Sequence, residues 1–368
     1  MPPTRINLDA NATLPLRDGV LEAMHPAFAL GNPSSAHADG RRARQLLEDA
    51  RDRVAGLLGA KPDEVVFTSG ATEANNLAVL GTPTGHIVSS EIEHPCVVEP
   101  VRRRGAATWL PAGRDGRIAP ATFAAAVATS TRLVTLMLVN HETGAIQPVA
   151  DTVTAIRGVP LHCDASQAVG KISVNFHELG ASTLSASGHK FGAPVGVGVL
   201  LVRSGHSLTP LTFGGHQQRG RRPGTEPVAL TVGFATALEL AMAAMAGEEA
   251  HRRALRERFL AVLGEAEPIV VNGSGLSTTL NVAFPGCRAD LLLMALDLVG
   301  VSCSTGSACS SGSLLPSPVL RAMGVPDDVL RSSLRFSFDH RLTLDAVADA
   351  AGRVVAAVRG LRADGPGV

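Results

Sequence analysis

The sequence predicts an α/β protein, a mostly parallel sheet covered by helices on both faces and followed by a smaller α+β unit. Three observations lead there. Uniformly apolar runs such as RLVTLMLVN (132–140) and VGVLLV (197–202) read as strands buried on both faces. Segments of helical period alternate with them, the arrangement of a parallel sheet. Beyond a long helical region from about 228 to 266, the pattern shortens into brief strands and helices.

Taken in order, ADGRRARQLLEDARDRVAGLL (38–58) places Ala43, Leu46, Leu47, Ala50, Val54, Leu57 and Leu58 at helical spacing, with Gly59 as a stop. EVVFTSG (64–70) predicts a short strand ending in Ser-Gly, and TEANNLAVLG (72–81) a helix. HIVSS (86–90), LHCDAS (161–166) and TLSAS (183–187) read as extended, and VADTVTAI (149–156) as helical. IVVNG, TLNVAF and LRFSF (334–338) are the later strands; ADLLLMALDLVG and LDAVADAAGRVVAAVRGL (344–361) are the later helices. Ligands of open α/β sheets sit beyond the carboxyl ends of the strands. The clusters SG-AT, NHETG, DASQ and SGHK all follow strands directly, so they are expected to converge on one crevice.

A chain of 368 residues is expected to form two domains. With 33 basic and 33 acidic residues it has no net charge, hence no long-range field for nucleic acid or an anionic membrane. MPPTRINLDANATLPL lacks the basic and apolar regions of a signal peptide, and ALTVGFATALELAMAAMAG (229–247) reads as a buried helix rather than a membrane span. The five cysteines have neither disulfide-scaffold nor zinc-type spacing, which favours a reducing cytoplasm and no metal.

Any chemistry needing an amine has three candidates, Lys61, Lys171 and Lys190. Lys61, beside a proline in a turn, reads as a surface charge, and Lys171 as the exposed start of an edge strand. Lys190 ends SASGHK before the glycine-rich FGAPVGVG; in close-packed surroundings its amine is desolvated and becomes a nucleophile able to form a Schiff base. The bland alternative is a snorkelling side chain. Asp164 closes a strand, and a carboxylate buried there needs a cation such as a protonated ring nitrogen, unless it only caps the next segment. Gly70, Ala71 and Thr72 stand where a strand turns into a helix, so exposed N–H groups and the helix dipole favour a phosphate. His94 follows another strand and can present its ring to a flat cofactor, or serve structure alone. His189 is placed for phosphate contact or proton relay. The stretch GVSCSTGSACSSGS (300–313) reads either as a spacer or as an arm that carries a thiol, with Cys303 a packed residue at a strand end and Gly/Ser reach from Thr305 onward.

GNPSSAHADGRRA, FTSGATEANN, EIEHPCVV, NHETGAIQPV, HCDASQAVGK, SASGHKFGAPVGVGVL, GGHQQRGRRPGTEP, STGSACSSGS and LRFSF occur in order along nearly the whole chain. This set resembles the NifS/IscS-type cysteine desulfurases, fold-type I pyridoxal phosphate enzymes of the class V aminotransferase group. The resemblance implies a large cofactor-binding domain over 14–245 and a small domain from 1–13 and 246–368, which carries a cysteine loop at about 303–315. It implies Lys190 as the Schiff-base lysine, Asp164 as partner of the pyridine nitrogen and Gln167 as contact to the cofactor's ring oxygen. His94 resembles the stacking and proton-handling histidine, and Ala71, Thr72, Ser187 and His189 match phosphate-side positions. Thr225 matches a residue that reaches the partner subunit's site, which implies a homodimer. Arg335 matches the holder of the substrate carboxylate, with Asn32 and His141 also on the substrate side, and Cys309 falls on the nucleophile that keeps sulfur as a persulfide. The implied activity converts L-cysteine to L-alanine and passes sulfur to an acceptor protein, as in iron–sulfur cluster assembly. A selenocysteine lyase, a specialised-pathway desulfurase and a non-catalytic sulfur-relay homologue are the alternatives. Departures from the pattern are His141 for Asn in NHE, Ala10 and Leu14 near the N-terminus, and Leu315 for Glu after the loop.

Overall fold

A computed structural model describes residues 4–306 and 316–363. Its strands are β1 (Ile6–Asn7), β2 (Val65–Thr68), β3 (His86–Ser90), β4 (Ala107–Leu110), β5 (Thr131–Thr135), β6 (Leu161–Asp164), β7 (Thr183–Ser187), β8 (Gly198–Val202), β9 (Val270–Val271), β10 (Thr279–Ala283), β11 (Val301–Ser302) and β12 (Ser333–Ser337). The helices are α1 (Val20–Phe28), α2 (Ala38–Leu57), α3 (Ala71–Leu80), α4 (Pro95–Arg104), α5 (Pro120–Ala126), α6 (Val149–Ala155), α7 (Phe176–Leu179), α8 (Val228–Leu263), α9 (Ala289–Leu298), α10 (Pro318–Ala322), α11 (Asp327–Leu330) and α12 (Leu344–Ala363).

The large sheet has the order β2-β8-β7-β6-β5-β3-β4. Only β8 runs against its neighbours β2 and β7; the other pairs are parallel. Every residue of β2, β6, β7 and β8 is buried, as strands covered on both faces require. The expected strand over 132–140 is shorter than predicted. Hydrogen bonds from Leu136 and Leu138 to His162 and Asp164 continue along β6, but the Met137 N–H donates to Glu93 Oε1 at 2.8 Å. A buried side chain thus replaces the ladder partner on the β3 side and ends the strand early.

A second core lies around β10 and β12, where Phe259 meets Phe338 and Phe284 meets Phe336 edge to face, Phe259 and Phe336 are tilted, and Ile6 of β1 and Leu8 join the same cluster. The α8 helix joins the two cores: Phe234 to Ala241 belong to the first, Leu255, Phe259 and Leu263 to the second. The domain boundary expected at 245/246 falls within this unbroken helix. Its apolar N-terminal half is long enough to cross a bilayer, yet more than half of that stretch is buried in protein.

Phe234 is fully buried and meets Phe191 and Phe67 edge to face at 5.1 and 6.4 Å. Phe191 directly follows Lys190, so this aromatic stack supports the lysine's backbone. Phe234→Ala is expected to destabilise the fold by about 3–5 kcal/mol, read as a lowered denaturation midpoint.

Candidate active site

The four strand-end clusters converge as predicted. Thr72, His94, Asp164, Gln167, Lys190 and Arg335 line one cavity of about 490 Å³, together with Ala71, His141, Ser187, His189 and Gly306. Its floor is the carboxyl edge of β2, β6 and β7, and Arg335 arrives from β12 in the second core.

Asp164 ends β6 and is buried, but its local partners are neutral. Oδ2 accepts from Asn75 Nδ2 at 2.8 Å and Oδ1 from the Ser166 N–H at 2.9 Å. Because Asn75 gives its amide protons to Asp164 and to Cys96 Sγ, its carbonyl Oδ1 must accept from His162 Nε2, 2.9 Å away. His162 is therefore the neutral tautomer with its proton on Nε2, and its Nδ1 accepts from the Thr183 hydroxyl at 2.9 Å. Burial holds the His162 pKa down at about 4. Sequence reading missed Asn75. The signal was there: Ala71, Ala74, Asn75 and Ala78 share the buried face of α3, and an amide on such a face needs a polar partner.

The start of α3 forms the phosphate-type feature. Gly70, at φ +155°, turns the chain into the helix, and the β8 residue Gly198 packs so closely that a Cβ would come within 2.7 Å of the Gly70 Cα. Ser187 at the end of β7 lines the same wall. His189 Nδ1 is 3.2 Å from the Thr13 hydroxyl, and burial beside Lys190 lowers its pKa to about 4.

Lys190 Nζ donates to the carbonyls of Asn11 and Ala12 at 2.7 and 2.9 Å. Lys171 corrects its sequence reading. Successive turn bonds over 165–172 set it one turn beyond Gln167 and fold it inward, so it is buried rather than an exposed edge residue. Burial, reinforced by Lys190, Arg252 and Arg335, drives its pKa well below the usual lysine range.

His94 caps α4, and its Nδ1 accepts from the Cys96 N–H at 3.2 Å and lies 2.9 Å from Cys96 Sγ. Burial lowers its pKa and pushes the Cys96 thiol up, so the ring is neutral and the thiol protonated. The His141 ring meets His94 edge to face at 5.3 Å, and burial takes its pKa well below the ordinary histidine value. The His141 carbonyl accepts from Arg335 Nη1 at 3.1 Å, while Arg335 Nη2 donates to Asp9 Oδ1 at 2.6 Å. Asp9 carried no local sequence signal; a chain reversal from the far terminus brings it there. Cys303 is half-buried against the second core, its thiol pushed up to about 12 by burial.

Two expected residues stand elsewhere in this chain. Asn32 is exposed and caps the Ser34 N–H at 2.9 Å, and Thr225 is exposed on the loop before α8; neither lines the cavity. Cys309 and Leu315 lie outside the described residues, whose nearest neighbours are Gly306 and Pro316.

The donor set suits pyridoxal phosphate: an amine, a buried carboxylate and a helix start with glycine approach, in one cavity. Arg335 Nε and His141 Nδ1, both buried, have no partner among the described residues. A family model for class-V aminotransferases matches residues 6–349. The chain belongs to the class-V aminotransferase family. Members are pyridoxal phosphate enzymes, and this chain is one. It is 42% identical over 372 residues to the IscS-like cysteine desulfurase of Mycobacterium tuberculosis, covering 95% of this chain and 94% of that one. Among solved structures, a NifS-like protein superposes with a TM-score of 0.90 at 31% identity, covering 96% of this chain and 99% of the other. A structure described as SspA in complex with cysteine gives 0.80 at 34% identity, covering 91% and 99%.

Because the folded state keeps His162 and His189 neutral while the unfolded chain protonates them near pH 6.5, the unfolded state binds more protons between about pH 6.5 and 4. Apoprotein stability is therefore expected to fall as pH drops through that window. Denaturant midpoints against pH measure it, and His162→Gln should flatten the slope.

Proposed function

We propose that this cysteine desulfurase takes sulfur from L-cysteine onto Cys309 as a persulfide and hands it to an acceptor protein. The observation that carries the reading is the meeting of Lys190, Asp164 and Arg335 in a cavity also lined by Gly306, three residues before Cys309. Bound pyridoxal phosphate supplies an electron sink that weakens bonds at the substrate's α-carbon. Lys190 and Asp164 would hold it, with Gln167 at its ring oxygen and the N–H groups at the start of α3 beside Ser187 and His189 at its phosphate.

Arg335 orients the substrate carboxylate. Asp9 and the His141 carbonyl fix its two Nη atoms, and its buried Nε has no partner among the described residues. Lys190 Nζ moves the α-proton. His94 is the weaker base, because its Nδ1 is engaged as an acceptor and the neutral ring keeps its proton on Nε2. The Cys309 thiolate attacks the substrate sulfur: an S–S bond forms, the C–S bond breaks, and its electron pair stays with the three-carbon fragment, which leaves as alanine after protonation.

A homodimer belongs to the same reading. Thr225 and Asn32 are exposed away from this chain's cavity, and Phe28 and Phe213 are 62% and 86% exposed, which a second copy would cover. A reducing cytoplasm fits a chain that works through a thiol.

Lys190→Ala is expected to lose the visible absorbance of the loaded enzyme. Cys309→Ser should keep that absorbance yet lose persulfide, measured by mass of the protein after cysteine turnover. Persistent sulfur transfer in Cys309→Ser would move the nucleophile to Cys303, and alanine release from selenocysteine alone would overturn the substrate assignment.

A further inference from the structure

Lys171 is a buried lysine that the mechanism above does not use. Its Nζ donates to Gln167 Oε1 and, at 3.2 Å, to Asn11 Oδ1. Both acceptors are neutral amide oxygens. Arg17, Arg252, Asp339, His340 and Lys190 line the same small gap, and no carboxylate lies within bonding distance of the amine among the described residues. Two acceptors match the two N–H donors of a neutral amine, the form that burial among cations favours.

Gln167 needs such a partner. An amide presents a donor on one side and an acceptor on the other, and a half-turn of the side chain exchanges them. The donor side is the one that binds an ionised phenolic oxygen of a cofactor ring. In the structure Gln167 Nε2 donates to the Asn11 carbonyl at 3.1 Å, the same oxygen that accepts from Lys190 at 2.7 Å. A single carbonyl thus ties the amide's donor side to the lysine amine, while Oε1 is turned away towards Lys171. The flipped amide would set Oε1 against the Asn11 carbonyl, and its Nε2 could bond the amine only if Lys171 turned its lone pair towards it and left one N–H unpaired.

We propose that Lys171 is a positioning residue of the cofactor site, fixing the Gln167 amide so that its N–H side faces the ring oxygen of pyridoxal phosphate. This rests on the assignment of Gln167 to that oxygen. Lys171 reaches no reacting atom itself; it acts through Gln167.

The test is a double-mutant cycle on apoprotein titrated with pyridoxal phosphate, following affinity and the absorbance maximum of the bound form. Lys171→Met is expected to weaken binding on the order of tenfold and shift the maximum. In a Gln167→Ala background the same substitution should change neither. Independent, additive effects, or unaltered affinity and absorbance in Lys171→Met while Gln167→Ala weakens binding, would overturn the proposal. If Gln167→Ala alone leaves both readouts unmoved, the Gln167 assignment fails first and this inference falls with it. Far-UV circular dichroism checks that each apoprotein is folded, and Lys171→Leu replaces Lys171→Met should that variant not fold.

Discussion

The carbonyl of Asn11 is the point on which the site turns. It accepts from Lys190 and Gln167, and the Asn11 side chain reaches Lys171, Thr279 and the His141 carbonyl. The Asn11 N–H donates to Ser337 Oγ at 2.9 Å. One residue near the N-terminus therefore holds groups from the turn after β6, the end of β7, the loop after β5, and strands β10 and β12. A turn is suited to this because its peptide groups are not spent on a helix or a sheet ladder and can face two bodies at once. Asp9, two residues earlier, extends the same segment to Arg335. The Lys190 side and the Arg335 side of the cavity thus share one strap.

Electrostatically the cavity is arranged around neutral histidines. His94, His141, His162 and His189 all have lowered pKa values, chiefly because burial penalises their charged forms. Neutral rings leave the fixed positive charge at Arg335 unopposed by protonation changes nearby, while the Asp164 carboxylate faces neutral donors rather than a salt-bridging side chain. An acid held by amides and backbone N–H groups remains available to a cation that arrives with a ligand. Glu93 and Glu142, pushed up by burial to about 8 and 7, do not compete for that role. Glu142 instead accepts from the Ser317 hydroxyl at 2.6 Å and packs against Gly306.

Much of this was legible in the sequence because it is local. A strand followed by SG-AT, DASQ or SGHK states both an element and a polar group at its end, so Asp164, Gln167 and Lys190 were readable before any fold. Length errors arose where side chains substitute for backbone, as Glu93 does for the ladder at Met137. Lys171 was misread because a lysine's default is solvent, and its partners, Asn11 and the rest of the turn, are not patterned around it. Asp9 and Asn11 could not be placed by periodicity at all: their neighbours lie 326 and 160 residues away. The exposed Asn32 and Thr225 are legible as motif positions, while a single chain gives them no cavity to line.

Helix α8 carries a final consequence. Its 36 residues span about 54 Å as one unbroken rod, with the Phe234 end seated in one core and the Phe259 end in the other. Inserting one residue in its exposed middle, between Ala241 and Glu248, would turn the far end by about 100° and advance it roughly 1.5 Å. Phe259 would leave its pocket, and the body that carries Arg335 would lose its register with the end of β7. Substitutions at Ala243 or Gly247 on that surface cost little, but a change in length there alters the geometry of a catalytic cavity that the inserted residue never touches. The two bodies must therefore evolve at fixed helical phase, free to vary in sequence along the rod and constrained in its count of residues.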